Sequence, residues 1–316
     1  MSSFSLLLLL CFPLVSQANS SPYHINPLKL GVEVRGINLR DHINDTALFD
    51  QIRRDTHKYR LMVFRDQGEI PADAMLQMFQ DFGEIYHEPY TTQTKNLTNH
   101  RRAPAPAIMR ISNDVDEGFK GVGTSGWHID GAYKDVPFSF LVFNSVKAPL
   151  MGDTKFAGHR EMLASLSREQ VEYLDRLWSV NARTVLGEKV AVIQPLLYNH
   201  PVVNDTVLCV HLGYLLGAIY DHGSTSTQRV LSHGEVLRLK AAISQGFSRD
   251  NERLVYSHKW KDGDLVIIDN QQLAHLASKE SQLPKEKVGL RILHRLAITG
   301  FEKPTKKRSY FDKVMI

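Results

Sequence analysis

The sequence predicts a mainly β protein with helices, in which a double-stranded β-helix (jelly roll) forms the core and the helices decorate it. Short apolar runs bounded by turn residues recur along the chain, for example at 61–64, 138–146 and 265–268. A few segments between them have helical spacing and helix-capping residues. Many short strands with few interspersed helices are typical of a double-sheet jelly roll. No repeat, low-complexity segment or linker divides the sequence, so residues 19–316 are predicted to form a single domain.

The N-terminal third contains two predicted helices around a buried strand. Residues 28–39 alternate weakly between apolar and polar side chains, which predicts one or two strands. Residues 47–59 have helical spacing, and the apolar run 61–64 predicts a buried strand. Pro71 suits the first position of a second helix, and Gly83 suits its end.

Residues 87–125 are poorly periodic and rich in Thr, Asn, Pro and Gly. An irregular segment of this length in a compact domain is usually functional. It leads directly into His128-Ile129-Asp130, so we predict that it covers a site there. Core strand 138–146 follows, and 152–156 resumes extended structure.

Two capping boxes begin predicted helices in the second half of the chain. One spans 167–170 and is followed by Val171, Leu174 and Leu177 on one helical face; the other spans 232–235. Two further strands are predicted at 265–268 and at 291–298.

The composition is that of a globular protein with a substantial core. The chain has 316 residues, of which 43% are hydrophobic and 23% charged, and its net charge is +4. Basic residues are scattered apart from a short cluster at 303–308, so no basic stripe is present. We therefore predict no nucleic-acid partner.

The N-terminus has the pattern of a secretory signal peptide. The apolar run 6–15 is shorter than the roughly 20 residues that a membrane-spanning helix needs. Small residues precede a cleavage position after Ala18, so residues 1–18 are predicted to be removed. Three glycosylation sequons agree with entry into the secretory pathway, to the endoplasmic reticulum lumen or the outside: Asn44-Asp45-Thr46, Asn96-Leu97-Thr98 and Asn204-Asp205-Thr206. The mature chain would retain Cys209 as its single cysteine, so it could form no internal disulfide.

The tripeptide His128-Ile129-Asp130 is the first candidate for chemistry. On a strand, residues i and i+2 point to the same face, so an imidazole and a carboxylate would lie side by side. This pair is two thirds of the two-histidine, one-carboxylate triad that holds Fe(II) with open coordination positions.

A third ligand has to come from a distant part of the sequence. His275 is the best placed of the fourteen histidines, because it follows the buried strand 265–268. Imidazole binds Fe(II), Zn(II) and Cu(II) alike, so the residue type does not select the metal. From its position alone, His275 is equally well explained as an ordinary surface or core histidine.

Arg291 and Arg295 would share one face of the last strand. Two guanidinium groups inside a barrel are costly unless they are paired with anions, and a guanidinium fork binds a carboxylate well. The alternative is an exposed face of an edge strand.

Taken together and in order, these motifs resemble the taurine dioxygenase/TfdA-like family of Fe(II)- and 2-oxoglutarate-dependent oxygenases. The matching stretches are 26–28, 36–39, 63–67, 82–84, 127–130, 148–154, 260–270 with His275, and 291–295.

The resemblance implies a metal centre, a cosubstrate site and a substrate. It implies that His128, Asp130 and His275 hold Fe(II). Thr154 and Arg291 are then expected to bind the far carboxylate of 2-oxoglutarate, with O₂ as the second cosubstrate. Arg295 would face an anionic group of a small-molecule substrate, with Thr124 and Tyr90 as further contacts. The resemblance also favours a homo-oligomer.

Three departures from the family pattern bear on the reaction. Gly-Gly-Asp-Thr is replaced by Met151-Gly152-Asp153-Thr154, which keeps Thr154, and a loop around 281–287 is inserted before Arg291. Thr124 stands where taurine enzymes carry Asn, which argues against taurine itself. Related halogenases lack the carboxylate that Asp130 supplies, so the resemblance implies hydroxylation or desaturation of a C–H bond.

Two other classes of protein fit parts of the pattern. A non-catalytic jelly-roll binding protein could retain the triad as a relic, although all three ligands and both anion-binding arginines are intact. A Zn(II) hydrolase could use the same three ligands.

Overall fold

The computed structural model describes residues 22–87, 100–185 and 188–306, and sixteen strands lie in these ranges. The strands are β1 His24–Pro27, β2 Val32–Arg35, β3 Leu61–Phe64, β4 Ile108–Ser112, β5 Phe138–Lys147, β6 Thr154–Gly158, β7 Leu177–Val185, β8 Glu188–Pro195, β9 Leu197–Asn199, β10 Thr206–Leu208, β11 Leu215–Tyr220, β12 Arg229–Val230, β13 Val255–His258, β14 Leu265–Asp269, β15 Leu273–Ala277 and β16 Ile292–Thr299.

The helices are short, and they lie between groups of strands. They are α1 Thr46–Tyr59, α2 Ala72–Phe79, α3 His159–Ala164, α4 Arg168–Asp175, α5 His233–Phe247, α6 Arg249–Glu252 and α7 Lys285–Val288, with 3₁₀ turns at Leu39–His42, Gln80–Phe82 and Lys279–Gln282. None of the helices in the described ranges is long and apolar enough to cross a membrane.

A seven-stranded sheet in the order β1-β2-β3-β14-β5-β16-β4 is the largest element of the fold. Its strand pairs are antiparallel except for β2 with β3. A three-stranded sheet, β13-β6-β15, packs against it; a four-stranded sheet, β12-β11-β7-β8, and the β9–β10 pair complete the strand structure. This mainly β architecture with helical decoration confirms the predicted fold class.

The central strands of the large sheet are apolar on both faces. Met62, Phe140 and Ile267 pack with α1 and α2 in one core. Val63, Leu141 and Ile268 point the other way and form a second core with Phe156 and Leu273 of the smaller sheet. Because side chains alternate along a strand, burial of both faces requires the continuous apolar runs seen in the sequence.

Several predicted elements are confirmed with nearly the same bounds. Helix α1 begins at Thr46, β3 spans the predicted strand, and Pro71 caps α2 instead of occupying its first turn. Both capping boxes form: Ser167 and Ser232 each accept a hydrogen bond from the third backbone N–H of α4 and of α5.

Three predictions about local structure were wrong. Segment 87–125 is not irregular throughout, because β4 lies within it and pairs with β16. Leu177 does not continue α4, which ends at Asp175; it begins β7. The inserted loop is not wholly irregular, because it contains α7. The β4 outcome depends on pairing with a distant strand, which local periodicity cannot report.

Candidate metal centre

His128 and Asp130 do not lie on a strand, contrary to the premise from which their common face was predicted. His128 forms single antiparallel bridges with His211 and His275. Its backbone N–H donates to the carbonyl of His275 at 3.2 Å, and the N–H of His275 donates back at 2.9 Å. Gly126 (φ 110°) and Gly131 (φ 81°) turn the chain on either side, because glycine adopts positive φ without steric cost.

The three residues of the predicted triad nevertheless converge. One ligand atom of each of His128, Asp130 and His275 lies within 4.8 Å of the others, a spacing that could hold a metal ion. Asp130 Oδ1 is 3.6 Å from His128 Nε2 and 3.8 Å from His275 Nε2. Both imidazoles are buried and Asp130 is half-buried, and all three line a cavity of about 410 Å³.

Hydrogen bonding and burial put His128 in the form that binds metals. Its Nδ1 lies 2.7 Å from the carbonyl oxygen of Gly126. A carbonyl can only accept, so Nδ1 carries the proton and Nε2 presents its lone pair toward Asp130. Burial lowers the pKa of His128 and lowers that of His275 to about 3. Both imidazoles are therefore neutral near pH 7, as metal coordination requires.

Asp130 is held as a carboxylate by its surroundings. Burial alone would raise its pKa, but the Arg295 guanidinium and the neighbouring imidazoles outweigh this effect and keep the pKa below its usual range. Arg295 Nη1 donates to Asp130 Oδ2. The two carboxylate oxygens are thus divided, with Oδ1 near the imidazoles and Oδ2 on the guanidinium.

A second cluster of the same composition occurs elsewhere within the described ranges, and its hydrogen bonds distinguish it. His57, His200 and Asp269 also bring three ligand atoms within 4.8 Å. However, Nδ1 of His200 accepts from the backbone N–H groups of Val202 and Val203 at 3.1 Å each. Its Nε2 must then carry the proton and donate to Asp269, at 3.2 Å. The His200 nitrogen that faces Asp269 is therefore protonated and cannot coordinate a metal, whereas the nitrogen of His128 that faces Asp130 presents a lone pair and fits a metal ion.

Arg291 is a buried cation in the wall of the same cavity. It is 3% exposed, and neither its Nε nor its Nη1 has a hydrogen-bond partner in the part of the chain that the structure describes. Burial lowers its pKa to about 10, so it remains charged. Strand β16, which follows it, pairs on both sides with β5 and β4, so the alternative of an exposed edge strand was wrong. A buried unpaired guanidinium is costly, and an anionic ligand would relieve that cost.

Thr154 also lines the cavity, and Asn113 hydrogen-bonds the backbone of Arg291. Trp260 Nε1 donates to the Thr154 hydroxyl at 3.0 Å, which leaves the hydroxyl proton able to donate to a ligand. Asn113 Oδ1 accepts from the backbone N–H of Arg291 at 2.9 Å, and its amide donates to the carbonyls of Leu283 and Gly289. Asn113 thereby ties the inserted loop to the segment that presents Arg291.

Of the three predicted substrate contacts, Arg295, Thr124 and Tyr90, the structure places only Arg295 in the cavity wall. Arg295 is 7% exposed and lines the cavity. Thr124 is exposed, is absent from the cavity wall, and donates its hydroxyl to the carbonyl of Gly121 at 3.0 Å. Tyr90 lies outside the described residues.

Sequence reasoning missed one wall of the cavity. The His211 ring lies 4.4 Å from that of His128, and the Tyr214 ring lies 4.0 Å from that of His211. Tyr133 packs edge-on against Tyr214, and Arg183 donates to the Tyr133 hydroxyl at 2.7 Å. These four residues line the cavity. No spacing rule connects them, because they are drawn together by pairing between β7 and β11 and by the bridge between His128 and His211.

Comparison with known proteins agrees with this geometry. The family model "Taurine catabolism dioxygenase TauD, TfdA family" matches residues 24–296. A 2,4-dichlorophenoxyacetate dioxygenase of Cupriavidus pinatubonensis is 24% identical over 79% of this chain and 90% of its own. An (S)-phenoxypropionate/alpha-ketoglutarate-dioxygenase of Sphingobium herbicidovorans is 25% identical over 82% and 90%. The crystal structure of a taurine dioxygenase from Burkholderia xenovorans superposes with a TM-score of 0.69 at 21% identity, over 91% of this chain and 94% of that one.

The family match covers most of the chain, and the described residues contain a His/Asp cluster that could hold a metal. The chain therefore belongs to the TauD/TfdA family and is a non-haem dioxygenase that uses Fe(II), 2-oxoglutarate and O₂.

Proposed function

We propose that His128, Asp130 and His275 hold the Fe(II), and that Arg291 with Thr154 binds the far carboxylate of 2-oxoglutarate. The substrate is a small anionic or zwitterionic molecule. One of its unactivated C–H bonds is hydroxylated, or desaturated as the variant outcome, with release of succinate and CO₂.

The unpaired Arg291 guanidinium is the observation that carries this proposal. It lies buried in the same cavity as the His/Asp cluster, where a carboxylate would accept its N–H groups bidentately. The Thr154 hydroxyl supports the same assignment, because Trp260 already occupies one of its acceptor sites. A dicarboxylate with one end at Arg291 would extend toward the cluster.

Side chains around the metal site would orient the reactants. Fe(II) with 2-oxoglutarate and O₂ would supply the oxidation. Arg295 engages Asp130 Oδ2, which leaves Oδ1 as the carboxylate atom facing the imidazoles. Ile111 and Phe143 are apolar side chains in the same cavity wall.

The cavity wall supports a substrate that combines a negative charge with an apolar body. Arg183 provides positive charge beside Tyr133, and the rings of Tyr133, Tyr214 and His211 contact one another in turn along the wall. Aromatic faces of this kind pack well against flat apolar groups. Two relatives are named for aryloxy carboxylates, and we propose that chemistry as the first to test here.

Anaerobic reconstitution tests the metal assignment. Fe(II) followed by 2-oxoglutarate is expected to give the visible charge-transfer band of the chelate in the wild-type protein and no band in His128→Ala. The matched control is His200→Ala, which removes one histidine from the other buried His₂Asp cluster and is expected to retain the band. Absence of the band from the wild type, or its loss in His200→Ala alone, would overturn the assignment.

Aerobic turnover tests the substrate class. Succinate release is measured with aryloxyacetates, aliphatic carboxylates, sulfonates and amino acids, and incorporation of ¹⁸O from ¹⁸O₂ into the product separates hydroxylation from desaturation. Stimulation by neutral compounds alone would contradict an anionic substrate.

A further inference from the structure

The Asn270 side chain forms hydrogen bonds with both backbone groups of Asp130, its N–H and its carbonyl. Asn270 directly follows β14 and is fully buried. Its Oδ1 accepts from the Asp130 N–H at 2.9 Å, and its Nδ2 donates to the Asp130 carbonyl at 2.9 Å. The same Nδ2 also donates to the carbonyl of Phe138 at 2.8 Å.

This contact substitutes for a strand partner that Asp130 lacks. The chain forms a bridge at His128, and the Ile129 N–H donates to the carbonyl of Val210 at 2.9 Å. At Gly131 the backbone turns away with φ 81°. The backbone groups of Asp130 therefore bind a side-chain amide. Asn and Gln are the side chains that offer a carbonyl acceptor and an N–H donor together at neutral pH.

Asn270 also connects two of the three cluster residues through one short stretch of chain. Five residues after Asn270, strand β15 supplies His275. The segment that hydrogen-bonds Asp130 thus also carries His275. Backbone hydrogen bonds hold it at both ends: the Asn270 N–H donates to the carbonyl of Ser139, and His275 and His128 exchange N–H to carbonyl bonds.

We propose that Asn270 is a positioning residue for the metal centre, which acts by fixing the Asp130 backbone so that its carboxylate meets His128 and His275. This inference rests on the proposed metal assignment. Residues that orient metal ligands typically change metal affinity by about 10–100-fold when they are mutated, so the same range is expected here.

Asn144 provides a matched control at a distance from the metal centre. It is also fully buried and lies on β5. Its Oδ1 accepts from the Ile70 N–H at 2.9 Å, and its Nδ2 donates to the carbonyls of Gly68 and Asp264. Truncation at either position removes one amide and the same number of hydrogen bonds to the backbone.

The experiment compares Asn270→Ala and Asn144→Ala in the full chain by two measurements. Urea unfolding of the metal-free protein is expected to show a similar loss of stability in both variants. Titration with Co(II), a spectroscopic stand-in for Fe(II), is expected to show a dissociation constant about 10–100-fold higher in Asn270→Ala and nearly unchanged in Asn144→Ala. The neutral pair Asn270→Ser and Asn144→Ser replaces the alanine pair if either alanine variant fails to fold, and the same contrast is expected.

The outcomes separate this inference from the metal assignment on which it rests. If the wild type and Asn270→Ala bind Co(II) equally tightly, the role of Asn270 is overturned while the metal assignment stands. Equal weakening in the Asn270 and Asn144 variants would also overturn it, because general loosening of the fold would then explain the result. If the wild-type protein binds no Co(II), both proposals fail.

Discussion

Arg291 immediately precedes strand β16 and Arg295 lies on that strand; both line the cavity, yet their electrostatic situations differ. Arg295 donates to Asp130, so its charge is paired within the protein. Arg291 is buried without a partner at Nε or Nη1 among the described residues, and burial lowers its pKa. One guanidinium therefore stabilises a half-buried carboxylate, while the other is a buried charge without such a partner among the described residues.

We expect Arg291→Met to stabilise the ligand-free protein and to weaken 2-oxoglutarate binding. Removing a buried unpaired polar group should raise the free energy of unfolding by about 1–3 kcal/mol. Loss of hydrogen bonds to a charged carboxylate, at about 1.5–3 kcal/mol, should raise the dissociation constant of 2-oxoglutarate roughly 10–150-fold. Chemical denaturation and ligand titration measure the two effects.

Arg295→Met is the matched control for that prediction. It leaves the half-buried Asp130 carboxylate without its cation, so it should lower the free energy of unfolding of the same metal-free protein. A loss of stability in Arg291→Met comparable to that of Arg295→Met would show that Arg291 is already paired.

At this scale the sequence identifies the residues of the candidate site but not the contacts that hold them. His128, Asp130 and His275 are recognisable as metal-binding residue types. Asn270 touches Asp130 across 140 positions in the chain, and no local pattern encodes that contact. His211 was missed for the same reason.

Elements whose burial is continuous or whose caps are local could be predicted. Strands β3, β5 and β14 are apolar because both faces of the large sheet are covered. Helices α4 and α5 begin at serines whose capping partners lie three residues away. Strand β4 was missed because its partner β16 lies far along the chain, and tertiary pairing decides its conformation. Strand β7 pairs with β8, which follows it directly, and with β11; its start was missed because Leu177 continues the helical spacing of α4.

His159, the first residue of α3, links that helix to β10 and should make the fold sensitive to acid. Its Nδ1 accepts from the Leu208 N–H at 3.2 Å, and burial lowers its pKa to about 3. In the unfolded chain a histidine titrates near 6.5, so below that pH the unfolded state binds a proton that the folded state excludes. Stability should therefore fall as the pH drops from about 6.5 toward 3, with a contribution of about 2 kcal/mol lost by pH 5.

His159→Gln tests this expectation because glutamine retains an acceptor but does not titrate. Urea unfolding at pH 7 and pH 5 should show a smaller loss for the variant than for the wild type, by about 2 kcal/mol. An identical loss in the two proteins would mean that His159 does not contribute to the acid sensitivity.

On the scale of the whole molecule, the wall of the candidate site is assembled from several sheets. Strands β16 and β4 of the large sheet, β15 of the smaller sheet and Arg183 on β7 of the four-stranded sheet contribute to the cavity wall, as do residues 119–123 and Ser125. Helices α1 and α2 cover the opposite face of the large sheet. Because three sheets contribute to one cavity, its shape depends on long-range packing, and the substrate could be predicted only as a chemical class.

Processing of the N-terminus is a prediction about the whole chain. Residues 1–18 lie outside the described residues, and β1 begins at His24, so cleavage after Ala18 would remove no strand of the described fold. Asn44 and Asn204 are exposed, as glycosylation would require, whereas Asn96 lies outside the described ranges. Expressed in eukaryotic cells, the chain should begin at Asn19 and lose mass on treatment with peptide N-glycosidase. The loss should be smaller in Asn44→Gln and in Asn204→Gln. A mature protein that retains residues 1–18 and carries no glycan would contradict the secretory prediction while leaving the iron chemistry unaffected.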